Sequence, residues 1–320
     1  MVSIKDIAKR AGVSISTVSY ALNGSDKVTD ETSARILQIA KELNYVPNAS
    51  ARNLKKRETK ILGVFLTDFR GDVYGDLLHG MKEISNSLGY DLVVCSGKQS
   101  HRMLPERIID GAVILDQAFE SAELLQYADL GHKIVVLDRE LEHANINQVL
   151  LDNKAGATLA MDYLLDKGHR KIHVVTGPEG SYDSIQRMKG VRQTAERAGV
   201  ELEEIPGDFL KRSGARAAEL LMKDYREPAA VFCLNDEMAI GFYNRVADSG
   251  FAIGEHFHLI GFDNIEISHY LEPRLSTIEY SKQRWGEMAS QQLVKLIAGE
   301  EVEHERIYVK LIEGQSVGKV

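Results

Sequence analysis

Residues 3–24, SIKDIAKRAGVSISTVSYALNG, read as two short helices joined by a tight turn. Ser3 is an N-cap residue with Asp6 three positions on, a variant of the capping box that sets a carboxylate at the positive end of the helix. Ile4, Ile7, Ala8 and Ala11 recur at helical spacing and make one apolar face. Gly12 supplies the backbone freedom for the turn. Ser14 or Ser16 can cap the second helix, whose inward residues are Val18, Ala21 and Leu22, and Gly24 stops it. The small residues Ala8, Ala11 and Ala21 permit a close crossing, as a helix-turn-helix requires. The outward face of the second helix carries Ile15, Ser16, Thr17, Ser19, Tyr20 and Asn23, suited to base edges and phosphates in a major groove. For this segment alone, a helical hairpin with a polar surface is the plainer alternative.

Downstream, Thr29 can cap a third helix over 30–44, with Ile36, Ile39, Ala40 and Leu43 closing a three-helix core. Pro47 in Tyr45-Val46-Pro47-Asn48 ends it, because proline disfavours helical geometry in the residue before it. Asn48 can cap a very short helix over 49–54, too short to stand alone in water. Lys55, Lys56, Arg57 and Lys60 form a basic linker.

The run IKDIAKRAGVSISTVSYALNG, followed by VTDETSARILQIAKELNYVPNASARNL, resembles the lactose-repressor (LacI/GalR) family of bacterial transcription factors. The match is ungapped from Ile4 to Leu54 and continues more weakly almost to the C-terminus. The resemblance implies a DNA-binding head at 1–46 and a hinge helix and linker at 47–60. The hinge folds on DNA and pairs with its dimer mate, Leu54 entering the minor groove and Ala51 taking the small contact position before it. The candidate DNA-contacting residues are Ser3, Ser14, Ile15, Ser16, Thr17, Ser19, Tyr20, Asn23, Thr29, Tyr45, Asn48, Ala51 and Leu54. The implied partner is a nearly palindromic double-stranded operator, read by a homodimer that uses one surface twice.

Charge is divided along the chain in the same way. Residues 1–60 hold 11 Lys/Arg against 6 Asp/Glu, a charge of +5, while the remainder holds 28 against 41, or −13. A basic head on an acidic body confines phosphate attraction to one end. A length of 320 residues suggests two or three domains, and 44% hydrophobic with 27% charged residues describes a soluble globular protein. No apolar run reaches ~18 residues, and the first residues lack the apolar core of a signal peptide. Cys95 and Cys233 are far apart and unclustered, which suits reduced thiols in a cytoplasmic protein.

From Ile61 the pattern becomes strand, helix, strand: strands over 61–66, 90–95, 112–115 and 133–137, helices over 73–88 and 120–130, and a short helix near 103–107. A second series begins near Val149, with a helix over 153–167 and strands over 171–175, 229–233 and 258–261. Apolar strands alternating with helices imply parallel sheets covered on both faces, in two similar lobes. The resemblance implies a two-lobed, periplasmic-binding-protein-like sensor at 61–320 whose chain crosses between lobes three times. Lobe 1 would take about 61–159 and 282–308, and lobe 2 about 160–281 and 309–320. The segment SGKQSHRMLPERI, between Cys95 and Ile108, is shorter than the family pattern.

Such lobes bind ligands at the carboxyl ends of their strands, in the cleft between them. Asp138, Asn235 and Asp263 stand at strand ends and Arg187 on a helix after TGPEGS, each matching an effector-contact position of the resembled family. Phe209 and Tyr74 match aromatic positions, although the family's Asn-Pro-Phe-Phe is Gly71-Asp72-Val73-Tyr74 here. Carboxylates, an amide and a guanidinium suit vicinal hydroxyls, so the implied effector is a sugar or a sugar phosphate. A nucleobase or a partner protein is the alternative within the class, and a solute-binding protein the alternative outside it. No phosphate loop, nucleophile elbow or metal motif supports an enzyme or a cofactor. His169 and His173 fall on a turn and a strand, and His256 and His258 read as a surface pair flanking a strand.

Overall fold

The computed structural model describes residues 2–46 and 58–319, in two units, Met1–Glu58 and Thr59–Val320. The expected hinge helix, with Asn48, Ala51 and Leu54, lies outside the described residues.

The first unit holds α1 (Ile4–Ala11), α2 (Ile15–Leu22) and α3 (Asp30–Glu42). At the head of α1, the Asp6 carboxylate accepts from the Ser3 backbone N–H at 2.8 Å and from the Ser3 hydroxyl at 2.7 Å. Gly12 takes φ 66, the left-handed geometry that the turn demands. Ser14, rather than Ser16, caps α2 by accepting from the Thr17 N–H, and Thr29 caps α3 through the Thr32 N–H. Ile7, Val18 and Ile36 are fully buried, and Ala8, Ala11, Ala21 and Ala40 fill the narrow spaces among the three helices.

In the second unit, β1 (Ile61–Leu66), β2 (Asp91–Cys95), β3 (Gly111–Leu115), β4 (Lys133–Val136) and β5 (Ile146–Leu151) join a late strand, β11 (Glu305–Ile307). Together they make a parallel sheet in the order β11-β5-β4-β3-β1-β2. The second sheet, β7-β6-β8-β9, is also parallel and contains β6 (Lys171–Val175), β7 (Glu201–Ile205), β8 (Ala229–Cys233) and β9 (Phe257–Ile260). β7 is absent from the sequence reading, because ELEEI lies on a sheet edge and its one buried side chain is Ile205. β10 (Thr277–Glu279) and β12 (Lys310–Ile312) pair antiparallel as a separate ribbon.

The chain passes between the lobes at 152, 280–281 and 308–309. The first passage differs from the sequence reading. β5, not read as a strand there although the second series was begun near Val149, belongs to the first sheet, and the following helix Asn153–Asp166 packs on Tyr182–Ala198, so the lobes part near 152 rather than about 159. Close packing is the reason: a Cβ on Gly190 would lie 2.5 Å from the Lys154 carbonyl oxygen, and one on Gly156 would strike the Phe262 ring. The helix Lys282–Ala298 returns to lobe 1 and crosses Val73–Ser87 at Gly80 and Gly286, where the backbones nearly touch.

The short segment after β2 is a 3-10 helix at Lys98–Met103, earlier than the predicted helix near 103–107. It buries His101, whose ring stacks on Phe119 at 3.8 Å and whose Nε2 lies 3.3 Å from the Asp116 carboxylate. His258 is likewise no surface residue: it is 3% exposed, against the His169 ring at 4.5 Å, because β9 is covered on both faces. Among the described residues, no helix is long and apolar enough to cross a membrane, and no group of three or more His, Cys, Asp or Glu could hold a metal ion.

Candidate nucleic-acid interface and inter-lobe cleft

On α2, Ile15, Ser16, Tyr20 and the capping Asn23 are exposed, and Thr17 and Ser19 are half-buried. Ile15 and Tyr20 are 46% and 37% exposed, so two large side chains stand off a helix whose other face is core. Lys27 Nζ lies 5.1 Å from the centre of the Tyr20 ring, which sets a cation beside it. The remaining described candidates have structural duties as well. Ser3, Ser14 and Thr29 cap helices, and Tyr45 packs against the head core while its N–H donates to the Ala40 carbonyl.

In the second unit, the strand ends bring four of the six predicted effector residues together. Arg187, 3% exposed, donates through Nε to Asn153 Oδ1 at 2.9 Å, through one terminal nitrogen to the Leu234 carbonyl, and through the other to Asp263 Oδ1 at 3.4 Å. Its guanidinium lies 3.7 Å from the centre of the Phe262 ring and 5.8 Å from that of Phe209. Asn235 caps the helix Asp236–Ala247 through the Met238 N–H and donates through Nδ2 to the Phe209 carbonyl at 3.0 Å. The Asn235 amide therefore holds Phe209 in a left-handed conformation, φ 64, with its ring in the space left by Gly177. Asp263 and Asn264 are also left-handed, at φ 110 and φ 46. Backbone strain gathered at one cleft points to function.

Asp138 and Tyr74 belong to the lobe 1 wall. Both Asp138 oxygens accept from Arg139, at 2.8 and 3.0 Å, and Arg139 also donates to the carbonyls of Asp116 and Phe119. Burial raises the Asp138 pKa, and Arg139 opposes the shift. The Tyr74 phenol is raised first by burial, then by Asp68, Asp183, Asp138 and Asp116, so it faces carboxylates of both lobes. Beside it an open groove of about 710 Å³ runs between Phe69, Tyr74 and Asp76 of one lobe and Ile265, Glu266 and Tyr270 of the other. Of the six predicted residues, only Tyr74 lines this groove.

Sequence reasoning missed several groups. Asn153 Nδ2 donates to Asp183 at 2.7 Å, the Tyr280 hydroxyl donates to Asp263 at 3.2 Å, and Lys282 donates to the Asp263 and Asn264 carbonyls. Burial pushes the Tyr280 phenol well up and raises Asp263, against the pull of Arg187 and Lys282. Asp236, beneath the cleft floor, is pushed up to about 8 by burial and by Asp263. Asn153 and Asp236 carried a signal, since each opens a helix shortly after a strand ends. Tyr280 and Lys282 carried none, because they flank a passage between lobes.

A model of the lacI family of bacterial regulatory proteins matches residues 3–48, and a periplasmic binding protein-like domain model matches residues 161–317. The HTH-type transcriptional repressor PurR of Vibrio atlanticus is 32% identical over 319 residues, 96% of this chain and 94% of that protein. A crystal structure of a sugar-binding LacI-family regulator from Enterococcus faecalis is 45% identical, with a TM-score of 0.78 over 82% of this chain and 99% of that one. A CelR–cellobiose complex is 26% identical, with a TM-score of 0.72 over 99% and 100% of the two chains.

Proposed function

The chain belongs to the LacI family of bacterial regulatory proteins, and from that premise we propose a cytoplasmic, dimeric transcriptional repressor whose operator binding is set by a small sugar held between the lobes. Residues 1–46 read the operator, with Ile15, Ser16, Thr17, Ser19, Tyr20 and Asn23 in the major groove and Ser3, Ser14, Thr29 and Tyr45 toward the backbone. Residues 47–60, with Asn48, Ala51 and Leu54, form the hinge, and 61–320 sense the effector through Tyr74, Asp138, Arg187, Phe209, Asn235 and Asp263. The similarity to a sugar-binding regulator and to a cellobiose-bound one supports a sugar.

The observation that carries this reading is the buried Arg187–Asp263 pair and its ties to two inter-lobe passages. Arg187 is one hydrogen bond from Asn153, the first helical residue after the passage at 152. Asp263 is one hydrogen bond from Lys282, the first helical residue after the passage at 280–281. A ligand that draws on Arg187 and Asp263 therefore pulls on the hinge between lobes without touching DNA. Across the lobes, the Tyr182 hydroxyl donates to Glu140 at 2.9 Å, and Arg306 reaches the same carboxylate at 3.3 Å. Coupling of this kind is typically ~1–3 kcal/mol.

The test is operator binding by fluorescence anisotropy, with and without sugars, in the wild type and in Arg187→Ala. The variant should bind operator like the wild type and lose the sugar response, with sugar affinity down roughly tenfold to a few hundredfold for a ligand group left unpaired. An unchanged sugar titration would sink the assignment.

A further inference from the structure

We infer that the effector of this cleft is an uncharged sugar, not a sugar phosphate or a hexuronate. The inference rests on the cleft reading above and adds the ligand's charge class. Its basis is the matching of charges at the strand ends. The Arg70 guanidinium meets Asp68 at 2.6 Å, Arg139 meets both oxygens of Asp138, and Arg187 meets Asp263 at 3.4 Å. Lys282 gives its hydrogen bonds to backbone carbonyls, and its charge acts on Asp263, Asp236 and Glu279. Each of the three arginines is thus already paired with a carboxylate, and Lys282, which lines the groove, is committed to two backbone carbonyls.

The remaining charge is negative. Asp183 takes its 2.7 Å hydrogen bond from the neutral amide of Asn153. Asp116 is held by the Ala118 N–H at 3.0 Å and the Thr67 hydroxyl at 3.4 Å, with His101 behind it. Two helix N-termini of lobe 2, of the kind that elsewhere receives phosphates, are occupied too. The helix Tyr182–Ala198 carries Asp183 in its first turn and is capped by Ser181, and Asp236–Ala247 carries Glu237 in its first turn and is capped by Asn235. Tyr74, which reaches the cleft from lobe 1, feels the carboxylates of both lobes. A phosphate or uronate would bring like charge into this field, and among the described cations named above none is without hydrogen-bond partners to give up for it. A neutral sugar suits it: hydroxyls donate to the carboxylates, ring oxygens accept from Arg187, and the C–H face packs on Tyr74 and Phe209.

Two measurements test the inference. In the first, Tyr74→Cys is labelled with cationic, neutral and anionic methanethiosulfonates, the buried Cys95 and Cys233 serving as the wild-type background. The cationic reagent should react at least about tenfold faster than the anionic one, and the ratio should shrink in Asp183→Asn. An anionic reagent that reacts as fast overturns the inference, whatever the ligand. The second is a thermal-shift panel of neutral hexoses and disaccharides, their 6-phosphates and the hexuronates, on wild type and Arg187→Ala. A shift from a neutral member, lost in Arg187→Ala and about a hundredfold weaker for its charged derivative, supports the inference. A charged member that binds more tightly, again through Arg187, overturns it and leaves the cleft reading intact. A neutral-sugar shift unchanged in Arg187→Ala, or no shift from any member, overturns the cleft reading, and the labelling ratio then decides the charge question alone.

Discussion

Single side chains here answer to their surroundings more than to their type. The Asp236 carboxylate accepts the Thr277 hydroxyl at 2.7 Å and the Ile265 N–H at 3.0 Å, fully buried, with its pKa raised to about 8. In the unfolded chain it titrates near 3.8. Between these values the native state holds a proton that the unfolded state has lost, so this residue lowers stability as pH rises through the window. The slope is at most ~1.4 kcal/mol per pH unit. Asp236→Asn can keep both partners without titrating, its Oδ1 accepting from the Ile265 N–H and its Nδ2 donating to the Thr277 hydroxyl, so its stability should fall less than that of the wild type between pH 5 and pH 8 in urea unfolding. Parallel curves would mean that Asp236 is ionised throughout. On the head, Tyr20 offers one hydroxyl and a ring, where family members often carry Arg or His. It cannot make the bidentate contact by which Arg reads guanine. Operator selection should return a half-site that departs from guanine at this contact, with the preference relaxed in Tyr20→Ala; a guanine there, indifferent to Tyr20→Ala, would refute the assignment.

Among the elements, the helices of the head were legible because their signals are local. A cap, an apolar stripe and a turn glycine all fall within 22 residues, and the observed α1 and α2 begin and end where those residues dictate. Strand identity was legible for buried runs such as ILGVFL, and illegible for ELEEI, whose pattern is set by its place on a sheet edge. The crossing of Val73–Ser87 with Lys282–Ala298 was also hidden, since Gly80 and Gly286 lie some two hundred residues apart in the chain. A Cβ on Gly80 would stand 2.1 Å from the Gln283 carbonyl oxygen, which is backbone and cannot rotate away. Gly80→Ala should therefore lower the stability of the second unit by ~1–3 kcal/mol, read in thermal or urea unfolding, despite the better helix propensity of Ala. A neutral or stabilising result would show that the two helices can separate freely.

At the scale of the whole molecule, the regulator is a helix-turn-helix head and a two-lobed sensor, joined on our proposal by a hinge and linker at 47–60. On our proposal the paired hinges carry the coupling, with each Leu54 wedged into a base step and the unstacking, a few kcal/mol, offset by burial and by wider contact on a bent site. Leu54→Ala should keep ligand binding and the dimer. It should lose specific operator affinity far more than nonspecific affinity, because phosphate contacts from the head remain, and the sugar effect on binding should shrink. Anisotropy titrations on operator and random DNA would check this; wild-type operator affinity with an undiminished sugar effect would reduce the hinge to a tether.

By itself the sequence determined the head, the charge split at its boundary, the alternation of strands and helices, and the strand-end positions of Asp138, Asn235 and Asp263. These rest on contacts between near neighbours and on composition. The tertiary structure decided the passage between lobes at 152, the burial of His101 in the short segment, and the network of Asn153, Asp183, Tyr280 and Lys282 around Arg187 and Asp263. Those groups come from segments tens to more than a hundred residues apart. Only the packing of the lobes brings them within hydrogen-bond distance, and no period or motif along the chain records that meeting.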